Sequence, residues 1–199
     1  MKIKNIAIPR PDEKAVERSL ERWSKDFPTS DATPDLSLNI DANVVIEKIR
    51  RVNKNEHTRL SAMEIEGLAK YIAICIPEFD ERLRNDDLTL VSQLATEHNT
   101  RQNADRERPH RLYSFSSKYC NLHNPSAFPK YDKLVCEVLR HFQYEYGFMK
   151  KSGSSECDLD DYNIYIMVLD QFSKHFGLTD FTRSEIDHYL WYLGKDCCA

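Results

Sequence analysis

Glycine is scarce in this sequence, and the scarcity is its first constraint. Only Gly67, Gly147, Gly153, Gly177 and Gly194 occur in 199 residues. No pair of them has the spacing of a dinucleotide-binding fingerprint, and none belongs to a phosphate loop ending in Gly-Lys-Ser/Thr. Nucleotide enzymes of those two designs are excluded, and no cofactor is expected. So little glycine also argues against a turn-rich all-β protein. The six cysteines, Cys75, Cys120, Cys136, Cys157, Cys197 and Cys198, include no Cys-x-x-Cys pair. The start, Met1-Lys-Ile-Lys-Asn-Ile-Ala-Ile-Pro9, lacks the long apolar core of a signal peptide. No apolar run approaches the roughly 18 residues of a membrane span. These absences lead us to expect a reduced, cytoplasmic protein with no membrane partner, whose cysteines fill space. A global basic field is missing as well, since the formal charge is -4.

What is present is helical patterning. Hydrophobic residues make up 41% of the chain and charged residues 30%, enough apolar material for a core at single-domain length. Val16, Leu20, Trp23 and Phe27 form a first stripe at helical spacing. Residues 27–40, with Pro28 and Pro34, read as a loop. Asp41 then caps a stretch with Val44, Val45, Ile49 and Val52 on one side. Ser61-Ala-Met-Glu64 and Thr182-Arg-Ser-Glu185 are capping boxes that open two further helices. The first of these runs through Leu68, Ala69, Ile72 and Ile76 to Pro77. Another helix is expected from Asp87 to about His98. Strong stripes follow at Leu134–Tyr146 and Tyr162–Phe176, and Gly147, Gly177 and Gly194 fall where stripes end, as C′ glycines do. The expectation is an all-α, single compact domain over 1–199 with about eight helices, a monomer or weak dimer. Residues 99–112 form a basic loop in this reading, and 149–158 a flexible connector.

Charge is unevenly spread. Lys48, Arg50, Arg51, Lys54 and Arg59 cluster with only Glu56 among them, and Arg101, Arg106, Arg108, Arg111 and Lys118 make a second basic stretch. Both read either as solvated faces and loops or as a nucleic-acid surface.

One segment carries residue types suited to chemistry: Tyr113-Ser-Phe-Ser-Ser-Lys118-Tyr-Cys-Asn-Leu-His123-Asn-Pro-Ser-Ala-Phe-Pro129-Lys-Tyr-Asp132. With Ser114–His123 as a helix, Phe115, Tyr119 and Leu122 form its apolar stripe and Lys118 borders the buried side. Pro125 and Pro129 then break the chain, and Asp132 stands at the mouth of the next helix, where it can cap it. A partly desolvated amine can attack an anomeric carbon to give a Schiff base, and a carboxylate can stabilise the oxocarbenium-like sugar. The same two residues also read as a snorkelling lysine and a plain cap. Cys120 and His123, one helical turn apart, are a possible half of a zinc site, but Cys136 and His141 have an offset that turns their side chains apart, and no metal is expected.

The run Ser-Phe-Ser-Ser-Lys118, followed by Pro129-Lys-Tyr-Asp132 and Val135, resembles the helix–hairpin–helix DNA glycosylases, closest to the small branch similar to 8-oxoguanine glycosylases. The resemblance implies a DNA-glycosylase-like fold, DNA as partner, Lys118 as nucleophile and Asp132 as its catalytic partner. It also implies that Arg101, Arg106, Arg108 and Arg111 meet phosphates ahead of the catalytic helix. A second reading is a non-catalytic helical interaction or nucleic-acid-binding module that keeps the fold without the chemistry. The glycine-free stretch Arg108-Pro-His-Arg-Leu-Tyr-Ser-Phe-Ser-Ser117, where the glycosylases carry a glycine-containing hairpin, favours it, as does the negative net charge.

Overall fold

A computed structural model describes residues 8–27, 35, 37–76, 78–102, 109–149, 159 and 161–197, with the side chains of 97–102 and 109–111 outside that set. All regular structure among the described residues is helical, as the patterning requires. In chain order the helices are α1 (Glu13–Asp26), α2 (Ala42–Asn55), α3 (Ala62–Lys70), α4 (Phe79–Arg84), α5 (Thr89–Gln102), α6 (Pro109–His123), α7 (Lys133–Tyr146), α8 (Tyr162–Phe176) and α9 (Arg183–Cys197). A single π-helical turn, Tyr71–Cys75, extends α3. No described helix is long and apolar enough to cross a membrane.

Most helix starts follow from one side chain each. Asp12, Asp41, Asp132 and Asp161 accept hydrogen bonds from first-turn amides of α1, α2, α7 and α8. Ser61 and Glu64 complete a reciprocal box on α3, and Thr182 and Glu185 do the same at α9. Gly147 and Gly177 end α7 and α8 at φ 59° and 72°, left-handed values that suit glycine. Gly194 does not end a helix as its position in the stripe suggests. It lies inside α9, where the Leu134 side chain of α7 occupies the space a Cβ would need.

Three other boundaries differ from expectation. Helix α5 continues to Gln102 and α6 begins at Pro109, so both ends of the expected 99–112 loop are helical. Proline suits the first helical turn because its missing N–H would have no intrahelical partner there. The short helix α4 follows Pro77, giving nine α-helices among the described residues where about eight were expected. Ile76 is extended, at φ -107° and ψ 97°, as the clash with a following proline ring demands. The expected connector at 149–158 lies outside the described residues apart from Met149.

The chain divides into two compact units, residues 1–32 with 131–199, and residues 33–130. In the first, α9 packs against α1, α7 and α8. Phe142 sits at its centre, with ring centroids 5.3 Å from Phe172 and 5.6 Å from Phe176. In the second, α6 packs along α5 and against α2, and α2 packs against α3 and the π turn. Val45, Ile49, Leu68, Leu94, Phe115 and Tyr119 are fully buried there.

Candidate functional site

The sequence singles out Lys118 and Asp132, and the two fall in different units. Lys118 is the tenth residue of α6, in the body of the helix, because α6 starts five residues before the expected Ser114. Its half-buried amine donates to the backbone carbonyl of Glu56 at 3.4 Å. Glu56 is the C-cap residue of α2, and its carboxylate pairs with Lys130 at 2.9 Å. Two lysines thus converge on the carbonyl end of α2, where the helix dipole favours cations. Asp132 accepts a 2.7 Å hydrogen bond from the Leu134 amide and caps α7, the position its sequence context gives it. Arg106 and Arg108 lie outside the described residues. Arg101 and Arg111 sit in α5 and α6, with side chains outside the described set. The aromatic residues near Lys118 in sequence, Tyr113, Phe115, Tyr119 and Tyr131, are all buried in their cores.

The second unit also holds a buried polar cluster. Lys48, only 4% exposed, donates to the carbonyl of Ser37 at 2.5 Å and to Asn39 Oδ1 at 3.0 Å, with the Asp35 carboxylate 4.0 Å away. Asn39 donates from its side-chain and backbone nitrogens to both oxygens of Asp80, at 2.5 and 2.8 Å. Tyr119 donates its hydroxyl to Asn39 Oδ1 at 2.5 Å. Asp35 binds Ser37 and Arg51 through its carboxylate, and its amide donates to the Leu122 carbonyl at 2.9 Å. His123 Nδ1 lies 2.6 Å from the Asp35 carbonyl. A carbonyl only accepts, so Nδ1 carries the proton. Nε2 is then left as a buried acceptor without a hydrogen-bond partner among the described residues.

The electrostatics follow from this packing. Burial pushes the Asp35 carboxyl up, but hydrogen bonds from Ser37 and Arg51 and the Lys48 charge outweigh it and bring the pKa down to about 2. Burial, and then the Lys48 charge, lower His123 to about 4. Burial also lowers Lys48 against the opposing pull of Asp35 and Asp80, and raises the Tyr119 phenol. At neutral pH the cluster holds a neutral imidazole and a lysine that feels the charge of two carboxylates, Asp35 and Asp80. It fastens residues 35, 37 and 39 to α2, α4 and α6. One signal in the sequence could have found Lys48: it stands three residues after Val45 and four before Val52, on the apolar side of α2.

A third feature is the turn between α2 and α3. Asn53 Oδ1 accepts from the Leu60 amide at 2.8 Å and the Thr58 hydroxyl at 2.9 Å, and Asn53 Nδ2 donates to the Leu60 carbonyl at 3.0 Å. Thr58 and Leu60 point inward, and His57 and Arg59 are exposed. No group of three or more His, Cys, Asp or Glu side chains placed to hold a metal occurs among the described residues.

The described chain is thus a helical protein with two compact units, the second fastened around a buried lysine. Residues 15–127 match the family HI_0787_N, described as an N-terminal domain. An uncharacterised protein of Haemophilus influenzae is 34% identical over 152 residues, covering 76% of this chain and 67% of that relative. The chain belongs to the HI_0787_N family. No solved structure matches it. The family match contains Lys48, His123, Lys118 and the α2–α3 turn, and ends before Asp132.

Proposed function

We propose that this chain is a non-catalytic helical binding module in which Lys118 is a structural cation. The observation that carries the reading is the Lys118 amine on the Glu56 carbonyl at the end of α2, beside the Lys130–Glu56 pair. A nucleophilic lysine needs its nitrogen directed at a substrate carbon. Here the nitrogen faces a helix terminus whose last carbonyls need donors, a role that requires no chemistry. The glycosylase reading competes with it through Asp132, which follows a proline-containing loop and caps the next helix as the resemblance implies.

Borohydride trapping separates the two. Wild-type protein is incubated with duplexes carrying oxidised, deaminated and abasic sites, and covalent adducts are resolved by mass. The module reading expects no adduct on any duplex. It also expects Lys118→Gln to cost about 0.5–1 kcal/mol, the size of a lost partner at a helix end. An adduct that forms with wild type and disappears in Lys118→Gln overturns it in favour of the glycosylase.

A further inference from the structure

We propose that the α2–α3 turn is a contact surface for the phosphodiester backbone of nucleic acid; this rests on the binding-module reading and names its partner. Backbone conformation sets this turn apart. His57 and Arg59 adopt left-handed φ values of 51° and 60° in one short turn. That region is disfavoured for residues with a Cβ, and glycine or asparagine occupies it more cheaply. The Asn53 hydrogen bonds hold the turn in this shape, so its geometry is fixed by its neighbours and leaves positions 57 and 59 open to other residue types. Two basic side chains nevertheless stand there, both exposed. Strain kept at an exposed, charged position is accounted for when the side chain itself has work to do.

The surrounding charges extend the pattern. Lys54, exposed in the last turn of α2, makes no ion pair with a described residue, and neither does Arg59. Arg50 and Arg51, one helical turn before Lys54, are about half exposed and pair with Glu47 and Asp35. The carboxylates closest in sequence are already engaged, Glu56 by Lys130 and Glu64 by the Ser61 capping box. Arg50 and Lys54 thus stand about one helical turn, roughly 6 Å, apart on α2, with Arg51 beside Arg50 and Arg59 in the turn that follows the helix. A single small anion meets one of them. A phosphodiester strand carries a charge every few ångströms and meets several together.

The test uses the full chain and fluorescence anisotropy with a labelled DNA duplex of about 25 base pairs, the matching single strand, and an RNA duplex of the same sequence. Titrations run from about 50 to 200 mM salt. Binding to at least one of the three is expected at low salt, and the arms show whether DNA or RNA is the source of the backbone. In the double variant Lys54→Gln, Arg59→Asn, affinity should fall at least about tenfold, and the slope of log K against log salt should flatten by about 2 for duplex DNA, near one per lost phosphate contact. Its thermal midpoint should hold or rise, because asparagine tolerates the left-handed region. Lys14→Gln with Lys25→Gln, on exposed positions of α1, should bind as wild type does. The proposal is overturned by no salt-dependent binding in any arm, by wild-type affinity in the turn variant, or by equal binding to a polyglutamate peptide. A turn variant that loses more than a few degrees overturns it too, since Arg59 would then serve the fold. Any of these, in a protein that gives no borohydride adduct, leaves the module without this partner. An adduct that depends on Lys118 removes the module reading itself.

Discussion

His123 is an uncharged ring in a place where charge would be costly. Its Nδ1–H is spent on the Asp35 carbonyl and its Nε2 is buried, so a second proton would enter beside Lys48. The folded pKa of about 4 lies below the ordinary value of 6.5. Between these values the unfolded chain takes up a proton that the folded ring refuses, so stability falls as pH drops from about 6.5 to about 4. The full effect amounts to about 3 kcal/mol, at 1.36 kcal/mol per unit. The depressed Asp35 carboxyl adds a loss of the same sign in a lower window, from about 3.8 down to about 2. Thermal melts of wild type and His123→Gln across pH 7 to 4 check this. The wild-type midpoint should drop steeply in that range, and the variant should be much flatter. Parallel curves would show that His123 does not carry the dependence. Little of this network is legible in the sequence beyond the place of Lys48 on the apolar side of α2, because its members are brought together by folding. Asp35 and His123 are far apart in sequence, and the partners of Lys48 at Ser37 and Asn39 come from a stretch that reads only as a loop.

The elements were more legible, and for a physical reason: a capped amide and its capping side chain are separated by two or three residues. Asp41, Ser61 with Glu64, Asp132 and Thr182 with Glu185 could each be read in a short window, and each caps its helix. Where the sequence misleads, a contact from elsewhere in the chain decides. Gly194 looks like a terminator because it follows the stripe of Ile186, Tyr189, Leu190 and Leu193. It is instead the residue that lets α7 approach α9, with Leu134 Cγ 2.4 Å from where a Cβ would lie. Alanine there gains up to about 1 kcal/mol of helix propensity and must displace a leucine side chain in a packed interface. We expect a net loss of about 1 kcal/mol or more for Gly194→Ala, measured by denaturant unfolding. A stabilised variant would mean that α7 and α9 pack more loosely than described. The π turn shows the same limit, since Tyr71-Ile-Ala-Ile-Cys75 continues an apolar helical pattern and nothing within it announces the wider turn.

For the whole molecule, the all-helical class follows from composition and periodicity, and the structure agrees with it. The arrangement into two units does not follow: Pro28 and Pro34, and Pro125 and Pro129, mark breaks near residues 33 and 130, but nothing in the sequence tells that the segments outside those breaks join in one unit. The family match spans residues 15–127 and so takes in α1 from that unit together with nearly all of the second. At this scale one contrast decides function: a lysine that secures a helix end, against a lysine that attacks damaged DNA. Affinity for an undamaged duplex, compared with the same duplex carrying an oxidised or abasic site, tests that contrast most directly. A module that meets only the phosphate backbone does not sense the base, so the account predicts a ratio near one at every salt concentration. A preference of about tenfold or more for the damaged duplex, lost in Lys118→Gln, would contradict it.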